Sequence, residues 1–422
     1  MSVLNAEIAD GEAPQEVNPQ TIEVSIVMPC LNESETLKAC IEEAMAAIET
    51  AGRTGEVVIA DNGSSDGSQG IAESAGARVV QVAEKGYGSA LMGGITAAKG
   101  RYVMMGDADG SYDFGELPRF LEKIRDGAEL VMGCRLPKGG GTIMPGAMPW
   151  KHRWIGNPML SGLGQLFFKS PVDDFHCGLR VFRKDAIQDL DLRCTGMEFA
   201  SEMAVKASFA RLKLDQVPIT LRPDGRSRAP HLRSWRDGWR HLRFMLLHAP
   251  KWLFLLPGLV LTLVSVIGFA ALVWGPVKIG GLNFSINTLL VCAVGMLVGF
   301  QTLFFAVYTK VVAVQQGVLR PDARVNKLLG MPLVELGLLA GLGLVLVGIG
   351  GLVGAVLYWR DVGFGDLPIE QSLRIVIPAV TAIALGVQSM FSGFALGMLR
   401  LKVKQLPGSD VRCEKTGDES LH

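Results

Sequence analysis

The chain has no surplus of charge of either sign: 41 Lys and Arg balance 41 Asp and Glu across 422 residues. That balance argues against nucleic acid as a partner, which needs a basic surface. The seven cysteines, Cys30, Cys40, Cys134, Cys177, Cys194, Cys292 and Cys413, include no Cys-x-x-Cys pair. Neither a disulfide framework nor a zinc site is expected, and the spacing suits a reducing compartment. Each is read as a small buried hydrophobe. The segment Met1–Pro19 is polar and acidic and lacks an apolar run. No secretory signal is expected there; residues 1–20 read as disordered, and the domain that follows is expected in the cytosol.

What the chain does have is apolar length, concentrated after Ala249. Four stretches, Trp252–Trp274, Ile286–Val312, Pro332–Tyr358 and Ile375–Met398, reach the roughly 20 residues that a bilayer crossing requires. Lys310, Arg320, Arg324 and Lys327 follow the second stretch, and Arg400, Lys402 and Lys404 follow the fourth. The excess of Lys and Arg on these connections places the N-terminal domain, the middle loop and the tail on the cytoplasmic side. The expectation is an integral protein of the inner or plasma membrane. The third stretch holds Gly337-x-x-x-Gly341 and Gly350-x-x-x-Gly354, a spacing that lets helices approach closely. Packing within the bundle is the first expectation; a homo-oligomer contact is the second.

Before Ala249, strand-like and helix-like segments alternate. Glu23–Met28, Glu56–Asp61, Arg78–Val82 and Tyr102–Gly106 read as strands. Glu33–Glu49, a run from Asp66, and Tyr87–Lys99 read as helices. Such alternation predicts an α/β fold with a mostly parallel sheet, whose ligands bind beyond the carboxyl ends of the strands. Asn32, Glu33, Asp61, Asn62, Asp107 and Asp109 all fall at those ends.

Three motifs there carry chemistry. Asp107-Ala108-Asp109 offers two carboxylates to Mg²⁺ or Mn²⁺, which would offset charge on a diphosphate leaving group. Asp61-Asn62-Gly63-Ser64-Ser65-Asp66-Gly67 can accept hydrogen bonds from a base or ribose, or can simply be a strand-to-helix turn with Asp66 as N-cap. In Glu84-Lys85-Gly86-Tyr87-Gly88, Lys85 can reach phosphate or ribose while the glycines clear space. Gly-x-Gly alone lacks the full dinucleotide fingerprint.

Taken in order, VMPCLNE (27–33), DNGSSDGS (61–68), KGYGSAL (85–91), GDADGSYDF (106–114) and MGCR (132–135) resemble glycosyltransferase family 2. More narrowly, the set resembles its dolichol-phosphate mannose synthase and polyprenyl-phosphate glycosyltransferase branch. DDFHCGLR (173–180), MEF (197–199), VPI (217–219) and GRSR (225–228) extend the likeness, which spans roughly Glu23 to Arg243. The resemblance implies a GT-A (Rossmann-like) catalytic domain over 21–230 and a nucleotide-sugar donor such as UDP-glucose or GDP-mannose. It further implies a divalent metal, Mg²⁺ or Mn²⁺, and inversion at the sugar carbon, with a polyprenyl-phosphate lipid as acceptor.

By the same resemblance, Pro29, Asn32, Glu33, Asp61, Asn62, Ser64, Lys85, Gly86, Asp107 and Arg226 form the nucleotide-sugar site. Asp107 and Asp109 hold the metal. Asp109, Arg135, Asp174 and Arg180 serve the chemistry, and Arg135, Arg153 and Arg228 meet the acceptor phosphate. One departure from the family pattern concerns the metal shell: Ser111 stands where related synthases often carry a metal-binding Gln. An acceptor phosphate monoester, with its second pKa near 6, is already an anionic nucleophile. It needs orientation and charge neutralisation rather than a base, which arginine forks supply.

Residues 231–250 read as an interfacial amphipathic helix. Leu232, Trp235, Trp239, Leu242 and Leu246 share one face, and Arg233, Arg236, Arg240 and Arg243 fill the others. Met159–Phe168 reads as a second surface element that guides the lipid. Four transmembrane helices over 251–400 and a cytoplasmic tail over 401–422 complete the chain. Rival readings are a transferase acting on another lipid such as diacylglycerol, a non-catalytic membrane scaffold, and a processive polysaccharide synthase. The last is disfavoured because no Gln-x-x-Arg-Trp motif follows the catalytic region.

Overall fold

The fold is that of a computed structural model, which describes residues 22–227, 234–315, 327 and 330–399. Expectations resting on residues 1–20, on Arg228, Leu232, Arg233, Arg320 and Arg324, on the side chain of Trp235 and on the tail 401–422 lie outside the described residues. The chain divides into two units between Ala249 and Pro250.

The first unit runs β1 (Val24–Cys30), α1 (Leu37–Thr50), β2 (Gly55–Asp61), α2 (Ser68–Ser74), β3 (Arg78–Gln81), α3 (Tyr87–Ala97) and β4 (Tyr102–Met105). It continues through α4 (Leu117–Arg125), β5 (Leu130–Cys134), β6 (Thr142–Ile143), α5 (Asn157–Phe168), β7 (Arg180–Arg183) and α6 (Lys184–Gln188). It closes with α7 (Phe199–Ala210), β8 (Leu214–Pro218), β9 (Thr220–Leu221) and α8 (Ser234–Leu247).

Seven strands form one sheet in the order β3-β2-β1-β4-β7-β5-β8. All neighbours pair parallel except β7, which runs antiparallel to both β4 and β5. β1 is apolar and buried almost throughout, as a central strand covered on both faces must be. On one face α1 lays down Leu37, Cys40, Ile41, Ala44 and Ile48, a helical stripe that packs against Ile26 and Met28. On the other, α3 approaches closely at Gly94, where a Cβ would come within 2.5 Å of Val27. Five of the described cysteines, Cys30, Cys40, Cys134, Cys177 and Cys194, lie in this unit, the first four buried and all unpaired.

Two boundaries differ from expectation for a local reason. The helix expected from Glu33 begins at Leu37 because the preceding backbone is engaged elsewhere. Glu33 N donates to Ser68 Oγ (3.0 Å) and Ser34 N to Asp66 Oδ2 (3.0 Å). The helix expected from Asp66 begins at Ser68, with Gly67 at φ +85° before it.

The second unit contains α9 (Leu256–Leu272), the hairpin β10 (Val277–Ile279) and β11 (Leu282–Phe284), α10 (Ile286–Gln315), α11 (Leu333–Asp361) and α12 (Ile369–Met398). A wide turn over Lys251–Leu255 extends α9 backwards. Among the described residues, four helices are thus long and apolar enough to cross a membrane. Only 11% of the most apolar window of the α9 span and of α11 is buried, so these apolar faces look outward, as hydrocarbon surroundings require. α9 packs on α10, and α11 packs along α12. α12 starts earlier than the expected Ile375, so Arg374 is helical; its guanidinium donates to Leu272 O and to Ser285 Oγ.

The two glycine motifs of α11 separate in space. A Cβ on Gly341 would lie 2.5 Å from Gly386 O of α12, and one on Gly337 would lie 2.9 Å from Ser389 O. Gly350 and Gly354 face open space.

Candidate active site

The carboxyl ends of β1, β2, β4 and β5 lie along one edge of the sheet, because β1, β2 and β4 pair parallel and β4 and β5 both run antiparallel to β7 between them. The reversed β7 brings its first residue, Arg180, to the same edge, opposite Met105 and Met132.

Asp107 and Asp109 leave β4 at this edge. Asp109 is buried and Asp107 partly exposed. Ser111 N donates to Asp109 Oδ1 (3.0 Å), and Thr36 Oγ1 donates to Ala108 O (2.7 Å), fixing the loop between them. Arg226 arrives from the segment after β9 and bridges two acids: Nη1 to Glu33 Oε1 at 3.0 Å and Nη2 to Asp109 Oδ2 at 2.5 Å. That segment is strapped across the loop. Gly225 N donates to Asp109 O (2.9 Å), Arg222 N donates to Ser111 O (2.9 Å), and the Arg222 guanidinium pairs with Glu43 and Asp113.

Burial and the neighbouring Asp109 carboxylate push the Asp107 carboxyl up to about 7. Two carboxylates forced together with too little positive charge fit a divalent cation, whose remaining ligands are phosphate oxygens and water. Among the described residues no group of three or more His, Cys, Asp or Glu gathers as a metal site. The pair therefore offers two protein ligands, with the Ser111 position contributing its backbone N–H to Asp109 rather than a carboxamide.

The loop after β2 is held by its own polar side chains. Asp61 is buried and accepts from Gly63 N (3.1 Å), Ser64 N (3.2 Å) and Gln69 Nε2 (2.7 Å). Burial opposes its charge, but these bonds outweigh it and hold its carboxyl below the usual range. Asn32, at φ 59°, accepts from Ser65 N (2.8 Å), and its own N–H donates to Ser64 Oγ (2.9 Å). Asn62 Nδ2 donates to Val82 O and Glu84 O, while its Oδ1 accepts from Gly86 N (2.8 Å). Lys85 reaches back to Asn62 O (2.6 Å) with its ammonium exposed. Pro29 sits in β1 opposite Ala60. Sequence reading brought these residues to one place, and the fold adds that the loops after β1, β2 and β3 interlock through them.

Arg135 follows β5 and is locked to Asp174. Nε donates to Oδ2 (2.7 Å), Nη2 to Oδ1 (2.9 Å), and the backbone N–H to Oδ2 (3.1 Å). Both are nearly or fully inaccessible. Burial disfavours the Asp174 charge, but Arg135 overrides it and keeps the carboxyl ionised. The expectation of Asp174 at the chemistry thus meets a carboxylate already occupied by Arg135 and by the His176 backbone N–H (3.3 Å).

Arg180 departs further from expectation. It is wholly buried and donates to the carbonyls of Phe175, Cys177 and Ala200. A guanidinium wrapped in backbone carbonyls organises the 175–180 loop, and no open face is left for a substrate. Arg153 lies in a wide turn over His152–Gly156, with its guanidinium 5.3 Å from the Trp154 ring centroid and its buried Nε without a protein partner. Arg228 is outside the described residues.

Two groups at this end escaped the sequence reading. Tyr87 Oη donates to Asp107 Oδ1 at 2.9 Å. Ser201 Oγ on α7 bridges His176 Nε2 (3.2 Å) and His241 Nδ1 of α8 (2.8 Å). The glycines on either side of Tyr87 were the available signal for the first; nothing local signalled the second.

With this geometry in place, comparison with known proteins is decisive. The family description "Glycosyl transferase family 2" matches residues 25–191, and "Glycosyltransferase family 2 C-terminal transmembrane region" matches 307–400. The low-salt glycan biosynthesis hexosyltransferase Agl6 of Haloferax volcanii is 40% identical over 385 residues, covering 89% of each chain. The chain belongs to glycosyltransferase family 2.

This glycosyltransferase is also 30% identical over 201 residues to the dolichyl-phosphate hexose transferase of Haloferax volcanii, covering 47% of this chain and 83% of that one. Among solved structures, glucosyl-3-phosphoglycerate synthase from Mycobacterium tuberculosis, in complex with Mn²⁺, UDP and glucosyl-3-phosphoglycerate, matches with a TM-score of 0.41 at 20% identity. That match covers 54% of this chain and 78% of that chain. The protein is an enzyme with a mostly parallel α/β domain, followed by four apolar helices in the region that carries the family's transmembrane match.

Proposed function

We propose that this glycosyltransferase moves a hexose from a nucleoside-diphosphate sugar, UDP-glucose or GDP-mannose in type, to a polyprenyl phosphate at the cytoplasmic face of the membrane, with inversion at the anomeric carbon. An acceptor phosphate oxygen forms the new bond to that carbon as the bond to the donor diphosphate breaks, and the nucleoside diphosphate leaves with the electron pair. The acceptor is anionic near neutral pH, so no protein base is required.

One observation carries the reading. An acidic pair, Asp107 and the buried Asp109, follows β4, with an arginine, Arg226, as the counter-charge on Asp109. Asp107 and Asp109 are the residues to hold Mg²⁺ or Mn²⁺, which when bound supplies positive charge to the leaving diphosphate. Arg226 is within reach of any diphosphate held there. The interlocked loops bearing Pro29, Asn32, Glu33, Asp61, Asn62, Ser64, Lys85 and Gly86 form the wall for the nucleoside.

For the acceptor we favour Arg153, whose Nε lacks a protein partner, with Arg135 as a fixed charge oriented by Asp174 and with Arg228. Exposed Trp150, Trp154, Ile155 and Met159 beside Lys151 and Arg153 suit a lipid headgroup surface. So does α8, which buries His241 and Met245 against the domain and leaves Trp239 and Leu247 exposed. The dolichyl-phosphate acceptor in the name of one relative supports the same class. The catalytic domain (21–230), interfacial helix (231–250), four spans (251–400) and tail (401–422) are the corresponding division of labour.

The test is turnover of the purified full chain with radiolabelled nucleotide-sugars, polyprenyl phosphate and Mg²⁺ or Mn²⁺. One labelled polyprenyl product is expected, falling at least about a hundredfold in Asp109→Ala. Full turnover in that variant would remove the metal assignment, and label appearing only in diacylglycerol would remove the acceptor.

A further inference from the structure

The Lys85-Gly86-Tyr87-Gly88 segment holds more than space for a nucleotide. Gly86 has φ +135°, and a Cβ on it would lie 2.2 Å from Thr195 O; a Cβ on Gly88 would lie 2.1 Å from Cys194 O. The first turn of α3 is therefore pressed against the 194–195 backbone, and Gly88 N and Ser89 N both donate to Thr195 O (2.8 and 3.2 Å). Between those glycines the only side chain is Tyr87. With the backbone clamped on both sides, its ring is aimed across to β4, where its hydroxyl donates to Asp107 Oδ1 at 2.9 Å.

Asp107 Oδ2 has no hydrogen-bond donor on it among the described residues. A Cβ at Gly178 would come within 3.2 Å of that oxygen and within 3.1 Å of the Tyr112 hydroxyl, so the carboxylate is also hemmed in on its second side. With Oδ1 held by the phenol and Oδ2 beside Gly178, the plane of the Asp107 carboxylate is fixed and its remaining lone pairs point in set directions. Groups that orient a ligand in this way typically change metal affinity by about 10–100-fold when removed.

We infer that Tyr87 is a positioning residue for the metal-binding carboxylate, fixing the plane in which Asp107 presents its free lone pairs to the cation. This rests on the reading of Asp107 and Asp109 as metal ligands. Lysine-glycine motifs at this position are thereby assigned a second task beyond admitting the nucleotide: they seat the tyrosine.

The experiment titrates Mn²⁺ into the detergent-purified full chain and follows free Mn²⁺ by electron paramagnetic resonance, alongside turnover against Mn²⁺ concentration. Wild type, Tyr87→Phe, Tyr87→Leu and Asp109→Ala are compared, with thermal unfolding as a check on folding. Tyr87→Phe is expected to raise the Mn²⁺ midpoint about 10–100-fold, with kcat at saturating Mn²⁺ within a few-fold of wild type and an unchanged melting temperature. Tyr87→Leu is expected to raise the midpoint equally. A Phe variant that binds Mn²⁺ like wild type overturns the inference, whether or not the Leu variant is impaired. If wild type and Asp109→Ala bind Mn²⁺ alike, the metal reading itself fails, and that outcome is separate because it does not involve Tyr87.

Discussion

At the scale of single residues, charge in this enzyme is arranged in two different ways. Arg226 is a shared counter-ion: at 14% side-chain exposure it pairs with Glu33 and Asp109 and, at 3.6 Å, with Asp224, on a segment strapped to the loop after β4. Arg135 is a fixed one, held by three bonds to a carboxylate with no exposure at all. Removing one partner of such a buried pair typically costs about 3–5 kcal/mol, because the other charge is stranded.

A third arrangement keeps charge out. Burial, and next the His241 ring, hold His176 well below the ordinary histidine pKa, although Asp174 pulls the other way. A histidine depressed in the folded state takes up its proton on unfolding wherever pH lies between its folded value and the unfolded value of about 6.5. Stability is therefore complete above about pH 6.5 and falls as pH drops below it, by up to about 1.4 kcal/mol per unit. We expect the melting temperature of the full chain to decline from pH 7 to pH 5, and the decline to flatten in His176→Gln. A variant curve parallel to wild type would show that another group controls acid sensitivity.

At the scale of elements, the close pairing of α11 with α12 rests on missing side chains. Gly341 and Gly386 face each other's carbonyls at distances no Cβ tolerates. Lipid surroundings provide little hydrophobic drive to bring helices together, so close backbone approach has to supply the contact. Gly386→Leu should splay the pair at an overpacking cost of roughly 1–3 kcal/mol, seen as a lower melting temperature in detergent. Gly350→Leu, which meets nothing within 4 Å, should leave it unchanged. Equal effects at both positions would mean that the outward face of α11 is also packed, against a second copy. The soluble domain uses glycine for the same purpose at Gly86 and Gly88, where the first turn of α3 meets the 194–195 backbone.

At the scale of the whole molecule, the proposed orientation has a direct consequence. The β10–β11 hairpin and the catalytic domain are separated by one span, so they should lie on opposite sides of the membrane. In intact cells, an impermeant maleimide is expected to label Lys278→Cys and to spare Lys123→Cys until the membrane is opened. The reverse pattern would put the catalytic domain outside and remove the cytoplasmic donor from the proposal.

The elements of this protein were legible because their signals are local. Apolar runs before Asp61 and Asp107, helical stripes such as Leu37–Ile48 and four long hydrophobic stretches each depend on near neighbours in the chain. So do the ordered motifs that identify the family. The partnerships at the site were not legible. Tyr87 meets Asp107 across 20 residues, Arg135 meets Asp174 across 39, and Arg226 meets Glu33 across 193. Periodicity carries no information over such separations. The family resemblance indicated Arg180 as a candidate for chemistry, whereas the fold encloses that guanidinium in backbone carbonyls. Sequence alone determined the first four strands, the helices between them, the four long apolar stretches and that two acids end β4. Tertiary structure alone decided which cation neutralises which acid, because an ion pair or a hydrogen bond exists only within a few ångströms and only folding sets that distance.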